Sequence, residues 1–529
     1  MVNQQIMPEG STRTRGIEAH KHNILAGKAL AETVRTTLGP KGMDKMVVSS
    51  DGEVTITNDG VTILEAMEVQ HPTAKMIVEA AKTQEDEIGD GTTTVVVIAG
   101  ELLKSAEGLL EQGIHPTIII RGYKMALNKA MSVLKELAKE VSPKNPKLLR
   151  DIAVTAMTGK GVEESKEKLA ELVVKGVLKV VSEEGLRNEN IKLLTKPGGS
   201  VEDSKLVEGI VLEKERLKEG MPTRVENARI ALIDAPIEVK ETEIDSKITI
   251  SSPEQMEQFI EMEEGMIKAM VQKIVDAGAN VVFCQRGIDE LAQHYLEEAG
   301  VYALRRVKLS DMKLLARATG ARIVSEPNQI TAKDLGKAGV VYEEKIGDEY
   351  MTFVSGCENT RAVTILLRGG SEHVLDEVKR ALMDAIGDIG VVIATKEIVG
   401  GAGSAEIEIS RELTRFADKL SGREQLAVQG FAKAMEIIPV TLAENSGLDP
   451  ISVITKLKAE HDKGKRYAGI DVLNGRVVDT LPSGIVEPLR VKTQALSSAV
   501  EVVTMILRID DIIVNEPPKS DQQEMPKLE

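Results

Sequence analysis

The sequence predicts a multi-domain protein whose two ends are mainly helical and whose middle is α/β. Three observations carry this. The chain has 529 residues, room for about three to four domains of about 150 residues each. Towards both ends apolar residues recur at helical spacing, as in Ile24, Leu25, Ala29, Leu30, Val34 and Leu38. Between 214 and 364, strand-like runs such as Ile230-Ala231-Leu232-Ile233, Val281-Val282-Phe283-Cys284 and Arg322-Ile323-Val324 alternate with helix-like ones, which is the pattern of a separate α/β domain.

Residues 1–16 are polar and read as a flexible arm. A helix over about 20–37 is predicted to stop at Leu38-Gly39-Pro40-Lys41-Gly42, where Gly and Pro break helices. Met46-Val47-Val48 and Val54-Thr55-Ile56 flank Ser50-Asp51-Gly52 as a β-hairpin. Asn58-Asp59-Gly60 is a second tight turn and leads into a short helix through Ile63, Leu64 and Met67. Ile88-Gly89-Asp90-Gly91-Thr92-Thr93-Thr94 is the third, opening a helix towards Gly113. Its glycines allow close approach to a ligand. Its hydroxyls stand where they can cap the helix, whose end attracts anions. Asp90 would repel a bare phosphate, which points to a bridging Mg²⁺. A Thr-capped turn without a ligand explains this heptapeptide equally well. Three such turns within about sixty residues fit the walls of one phosphate pocket better.

A helix from His115-Pro116 to about 140 precedes the linker-like Ser142-Pro143-Lys144-Asn145-Pro146. Lys160, in Thr158-Gly159-Lys160-Gly161, is either a solvated loop lysine or a cation reaching a phosphate. A helix over 162–184 and short strands over 192–212 follow. Residues 241–252 read as polar strand or loop, and Ser252-Pro253-Glu254 opens a helix rich in Met; 241–264 reads either as an exposed projection or as core, and 266–275 as core. A helix from Ser371 places Asp384 near its predicted end, an unfavourable site for an acid. Val399-Gly400-Gly401-Ala402-Gly403-Ser404 is a fourth Gly-rich turn opening a helix. Helices over 425–436, ending at Pro439, from Asp449-Pro450, and over 489–511 complete the chain, with turns and strands over 469–488 and a polar tail from Asn515.

Composition excludes several classes. A formal net charge of −16 argues against a general nucleic-acid or anionic-membrane binder. Cys284 and Cys357 are the only cysteines and supply neither a disulfide framework nor metal-site spacing. No run of about 18 apolar residues is seen, and no signal-peptide core precedes residue 15, so a cytoplasmic protein without a membrane helix is expected. Neither G-x-x-x-x-G-K-[ST] nor G-x-G-x-x-G occurs where a P-loop or dinucleotide fold needs it. Aromatic residues make up 2%, so the cores must be aliphatic.

Taken together, Thr37-Leu38-Gly39-Pro40-Lys41-Gly42-Met43-Asp44-Lys45, Asn58-Asp59-Gly60-Val61-Thr62-Ile63, Gly89-Asp90-Gly91-Thr92-Thr93, the Gly401 turn and Gly484-Ile485-Val486-Glu487-Pro488-Leu489-Arg490-Val491-Lys492-Thr493-Gln494 resemble the group II branch of the chaperonin family, that of archaeal thermosomes and their eukaryotic cytosolic relatives. The resemblance spans about 17–513. It implies a mainly α equatorial ATPase domain from 1–143 and 398–529, a small α/β intermediate hinge domain from 144–213 and 364–397, and an α/β apical domain over 214–363 with a helical protrusion at about 241–270. It implies ATP with Mg²⁺, a double ring of eight or nine subunits per ring, unfolded proteins as clients, and no detachable lid, nucleic acid or membrane. By the same resemblance Thr37, Leu38, Gly39, Pro40, Gly91, Thr92, Thr93 and Thr94 cradle phosphates, Asp90 holds Mg²⁺, and Lys160 senses the γ-phosphate. Gly401 and Glu487 lie by the ribose and base. Asp384, helped by Asp59, activates the attacking water, so hydrolysis would follow closure of the hinge. The family usually has three consecutive glycines at 401–403, and Ala402 departs from that. A scaffold that has lost hydrolysis and a kinase with an unusual phosphate loop are the competing readings; intact Asp59, Asp90 and Asp384 argue against the first.

Overall fold

The computed structural model describes residues 12–50, 52, 54–182, 185–239, 252–357 and 361–514. They form two compact units. One gathers the described residues of Met1–Pro143, Thr158–Lys160 and Thr395–Glu529; the other holds Lys144–Met157 and those of Gly161–Ala394. In chain order the helices are α1 (Ile17–Arg35), α2 (Gly60–Ala66), α3 (Pro72–Glu87), α4 (Thr92–Glu111) and α5 (Pro116–Leu137) in the first unit. The second unit has α6 (Pro146–Met157), α7 (Lys166–Val180), α8 (Pro253–Asp276), α9 (Glu290–Glu298), α10 (Leu309–Thr319) and α11 (Glu372–Thr395). The chain then returns to the first unit for α12 (Ser404–Ala417), α13 (Glu424–Met435), α14 (Ile437–Asn445), α15 (Pro450–Asp462) and α16 (Leu489–Ile506).

The first unit is built around α4. Val95, Val96, Val97, Ile98, Ala99, Leu102 and Leu103 are all buried, so α4 is apolar nearly all round, as a central helix must be. Its neighbours present narrower stripes: Ile24, Leu30 and Val34 from α1, Ile77 and Ala81 from α3. The scarcity of aromatics leaves Tyr123 and Phe431 as a single edge-to-face pair, centroids 5.7 Å apart, inside an aliphatic core. Small sheets trim this bundle. Val486–Pro488, Glu397–Gly400 and Lys139–Glu140 form one, so both ends of the chain meet beside the Gly-rich turn. The hairpin of Lys45–Val48 with Val54–Thr57 is present as expected.

In the second unit a seven-stranded mixed sheet runs in the order Tyr302–Leu304, Val281–Cys284, Arg224–Ile233, Gly336–Ile346, Glu349–Ser355, Gly209–Leu212, with Ile323–Val324 pairing Arg224–Ile233 off that path. A three-stranded sheet joins Ile191–Pro197, Val363–Gly369 and Lys205–Val207. Helix α8, capped by Ser252 with Pro253 at its first position, runs unbroken through Gly265. Met256, Ile260, Met262 and Met266 are exposed, and burial begins at Ile267. The expected projection over 241–251 lies outside the described residues.

Three expectations need correction. Residues Thr12–Arg15 are not a loose arm; they pair antiparallel with Asp511–Val514, a strand the sequence did not suggest. The helix carrying Asp384 does not end near Gly387 but runs to Thr395. Asp384 is thus mid-helix, away from the terminal carbonyls that would disfavour an acid. Pro439 does not end a helix; it sits in the first turn of α14, where its missing N–H costs nothing. Separately, Glu424–Asn445 passes for a membrane span by length and composition, but 67% of its apolar window is buried in this unit's core. It is two consecutive core helices.

Candidate functional site

Within the first unit the early turns converge on the start of α4. Gly91 is its N-cap, at φ +86° and with no capping side chain; a side-chain-bearing residue rarely adopts that backbone. The threonines therefore do not cap the helix, contrary to expectation. Thr92 is its first residue, and its hydroxyl donates to Asp59 Oδ1 at 3.3 Å. With no side chain over it, the first turn from Thr92 through Thr94 leaves backbone N–H groups to an outside acceptor.

Asp59 is fixed from two sides. Its Oδ2 accepts from Thr62 N at 2.8 Å and Thr62 Oγ1 at 2.7 Å, capping α2, while Oδ1 faces Thr92. Helices α2 and α4 approach so closely that a Cβ on Gly60 would lie 2.5 Å from Thr93 Oγ1. The Thr37–Pro40 turn closes through Gly42 N to Gly39 O at 2.9 Å. Asn445 Nδ2 donates to Leu38 O at 2.8 Å and pins it to the bundle, and the Thr37 hydroxyl is spent on Val34 O. The Thr158–Lys160 loop lies against this turn: a Cβ on Gly159 would be 2.5 Å from Gly39 O, and Asn58 Nδ2 donates to Gly159 O. Lys160 Nζ comes to 3.4 Å from Asp90 Oδ1, both side chains being part-exposed. Thr37, Gly39, Pro40, Asp59, Asp90, Gly91, Thr92, Thr93 and Lys160 are thus linked by direct contacts.

Gly401 and Glu487 form a second pair. Glu487 Oε1 would be 2.6 Å from a Cβ on Gly401, and Gly401 N donates to Ile485 O at 3.0 Å. Burial raises the Glu487 carboxyl above its ordinary range; the Lys492 ammonium opposes this, while the charges of Glu406 and Asp90 add to it. Ala402 takes φ +55°, a left-handed conformation that a glycine would adopt without strain. Asp384 lies half-buried on α11, in the other unit.

The sequence reading missed Gln84. This fully buried side chain donates to Asp90 O at 2.7 Å and Val491 O at 3.4 Å, holding the Gly89–Gly91 backbone to the start of α16. A signal existed: Gln84 continues the buried stripe of Ile77 and Ala81, and a polar residue on an apolar stripe needs a partner. Asn58, Lys492 and Glu406 were also missed.

A phosphate-bearing ligand fits this arrangement. Open N–H groups on α4 offer anion donors, Lys160 offers a cation, and the part-exposed Asp90 carboxylate suits a hard cation that keeps most of its ligands from water and phosphate.

Comparison with known proteins adds the following. A model of the TCP-1/cpn60 chaperonin family matches residues 30–517. A thermosome subunit of Methanopyrus kandleri is 59% identical over 512 residues, 96% of this chain and 94% of the relative. The thermosome subunit beta of Archaeoglobus fulgidus is 57% identical over 96% of this chain and 94% of the relative. A thermosome subunit of Methanocaldococcus jannaschii is 56% identical over 98% and 96%.

Proposed function

Because the chain belongs to the TCP-1/cpn60 chaperonin family, as an ATP-dependent chaperonin subunit of the thermosome type, we propose that it binds and hydrolyses its ATP at the turns around the start of α4. Chaperonin subunits of this kind are ATPases that assemble into rings acting on other proteins. The observation that carries the assignment is the joint placement of Asp59, Asp90, Lys160 and the Thr37–Pro40 turn against an α4 N-terminus that no side chain caps.

Phosphoryl transfer needs positioning and charge neutralisation more than covalent chemistry. The α4 amides and the turn at Gly39 would take the phosphates. Lys160 would exchange Asp90 for the γ-phosphate. Asp90 would hold Mg²⁺, which supplies charge neutralisation on the phosphate oxygens when bound. Glu487 and the Gly401 turn would meet the ribose and base. Asp59, held by Thr62 and Thr92, and Asp384 would orient the attacking water.

The same reading divides the chain into the equatorial, intermediate and apical domains set out above, and gives it a double ring of eight or nine subunits per ring in the cytoplasm. The exposed methionine-bearing stretch of α8 would belong to a built-in lid. The test is Asp90→Asn. Mg²⁺-dependent ATP hydrolysis should fall at least about a hundredfold, given losses of that order when one charge-stabilising group is removed, with the thermal midpoint retained. Turnover near the native rate in a folded Asp90→Asn protein refutes the assignment.

A further inference from the structure

Behind Glu487 of the proposed nucleotide site lie two further charged residues, Lys492 and Glu406, that the mechanism does not use. Lys492, on α16, places Nζ 2.8 Å from Glu406 Oε1 and 2.8 Å from Glu487 Oε2; the side chains of Lys492, Glu406 and Glu487 are 10%, 4% and 19% exposed. Glu406 comes from α12, the helix opened by the Gly-rich turn, and its second oxygen is buried with no hydrogen-bond partner among the described residues. Glu487 uses its two oxygens differently. Oε2 is tied to Lys492, and Oε1 lies against Gly401.

We infer that Lys492 is a positioning residue for nucleotide binding, fixing the Glu487 carboxylate against the Gly401 turn so that Oε1 accepts from the ribose hydroxyls. The inference rests on the reading that Glu487 meets the ribose. Three features favour a strut over a phosphate ligand. Two carboxylates already hold the ammonium at hydrogen-bond distance, and it is nearly closed to solvent. Glu406, buried and rooted in α12, anchors the lysine from behind. A glutamate side chain has several rotatable bonds and loses its hold on a ligand when left to sample them, and a charge-assisted hydrogen bond removes that freedom.

The trio also explains why Gly401 admits no side chain. A methyl there would press on the one Glu487 oxygen that Lys492 leaves for the ligand.

The experiment compares ATP with 2′-deoxy-ATP and 3′-deoxy-ATP on the assembled protein, reading KM and kcat separately. Lys492→Met should raise KM for ATP about tenfold, the scale of one hydrogen bond to a charged group. It should also collapse the native preference for ATP over the deoxy analogues, with kcat within about twofold. Glu406→Gln/Lys492→Met removes one charge of each sign, so that only Glu487 loses its cation; it should show the same collapse, and it serves if the single variant does not assemble. Either variant keeping both the native KM and the native preference overturns the inference. Glu487→Gln separates the two claims. If Glu487→Gln keeps the preference, the ribose reading fails. If Glu487→Gln loses it while the Lys492 variants keep it, only the positioning role fails.

Discussion

Gly60→Ala probes how the α2 and α4 starts are fitted together. The added methyl would lie 2.5 Å from Thr93 Oγ1 and 3.1 Å from both Thr93 Cα and N, where ordinary contact begins at 3.4 Å. The hydroxyl can rotate away. The backbone atoms cannot, so the two helix starts must part by about 0.3 Å, the shortfall between 3.1 and 3.4 Å. Asp59 is the residue before Gly60, and its hydrogen bond from Thr92 is already long at 3.3 Å. Opening by that amount takes it past the range of a hydrogen bond. Overpacking of this kind costs about 1–3 kcal/mol. Displacements near 1 Å cost about a hundredfold in rate, so about a tenfold fall in kcat is expected. The assay is steady-state phosphate release beside binding of a fluorescent ATP analogue. Binding should stay within about threefold while kcat drops. Native kcat in Gly60→Ala, with the protein folded, would refute the claim that this contact sets Asp59.

Three further outcomes follow from other sites. Asp384→Ala should bind ATP with near-native affinity and not turn it over, checked by nucleotide retention and phosphate release. For Ala402→Gly, relief of a left-handed alanine is worth about 1–2 kcal/mol, less the roughly 0.4–1 kcal/mol glycine adds to the unfolded chain; a slightly raised unfolding midpoint and unchanged KM are expected. Glu408 is 1% exposed. Burial pushes its carboxyl up, but hydrogen bonds from His461 and Arg466 and the charge of Arg411 outweigh it and bring it down from 4.5 to about 2. The folded value is below the unfolded one, so this stability is complete above pH about 4.5 and is lost as pH falls towards about 2. At about 1.4 kcal/mol per unit it is worth about 3 kcal/mol at neutral pH. Denaturant titrations of Glu408→Gln should show that deficit at pH 7 and its fall to about 1 kcal/mol by pH 2.5.

Much of the fold could be read from the sequence where local chemistry decides it. Ser252-Pro253, His115-Pro116 and Asp449-Pro450 each begin a helix as written. Readings failed where tertiary contact overrides local signals. Gly387 and Gly390 look like a stop, yet α11 continues through them because Ala385, Ile386, Asp388 and Ile389 are all buried. Thr12–Arg15 has a polar sequence and becomes a strand only because Asp511–Val514, some five hundred residues on, supplies the partner. The turns of the candidate site were legible as turns, because Gly91 sets a left-handed backbone and Asp59 caps the helix that follows it. Gln84 and Lys492 were not, since each also ties in a partner distant in sequence, Val491 for Gln84 and Glu406 for Lys492.

The most direct test is an electron cryo-microscopy map of the assembled protein with Mg²⁺ and a non-hydrolysable ATP analogue. Triphosphate density should lie on the first turn of α4, with the metal beside Asp90 and Lys160 moved from Asp90 to the terminal phosphate. Nucleotide density elsewhere, with the Lys160–Asp90 pair intact, would contradict the account.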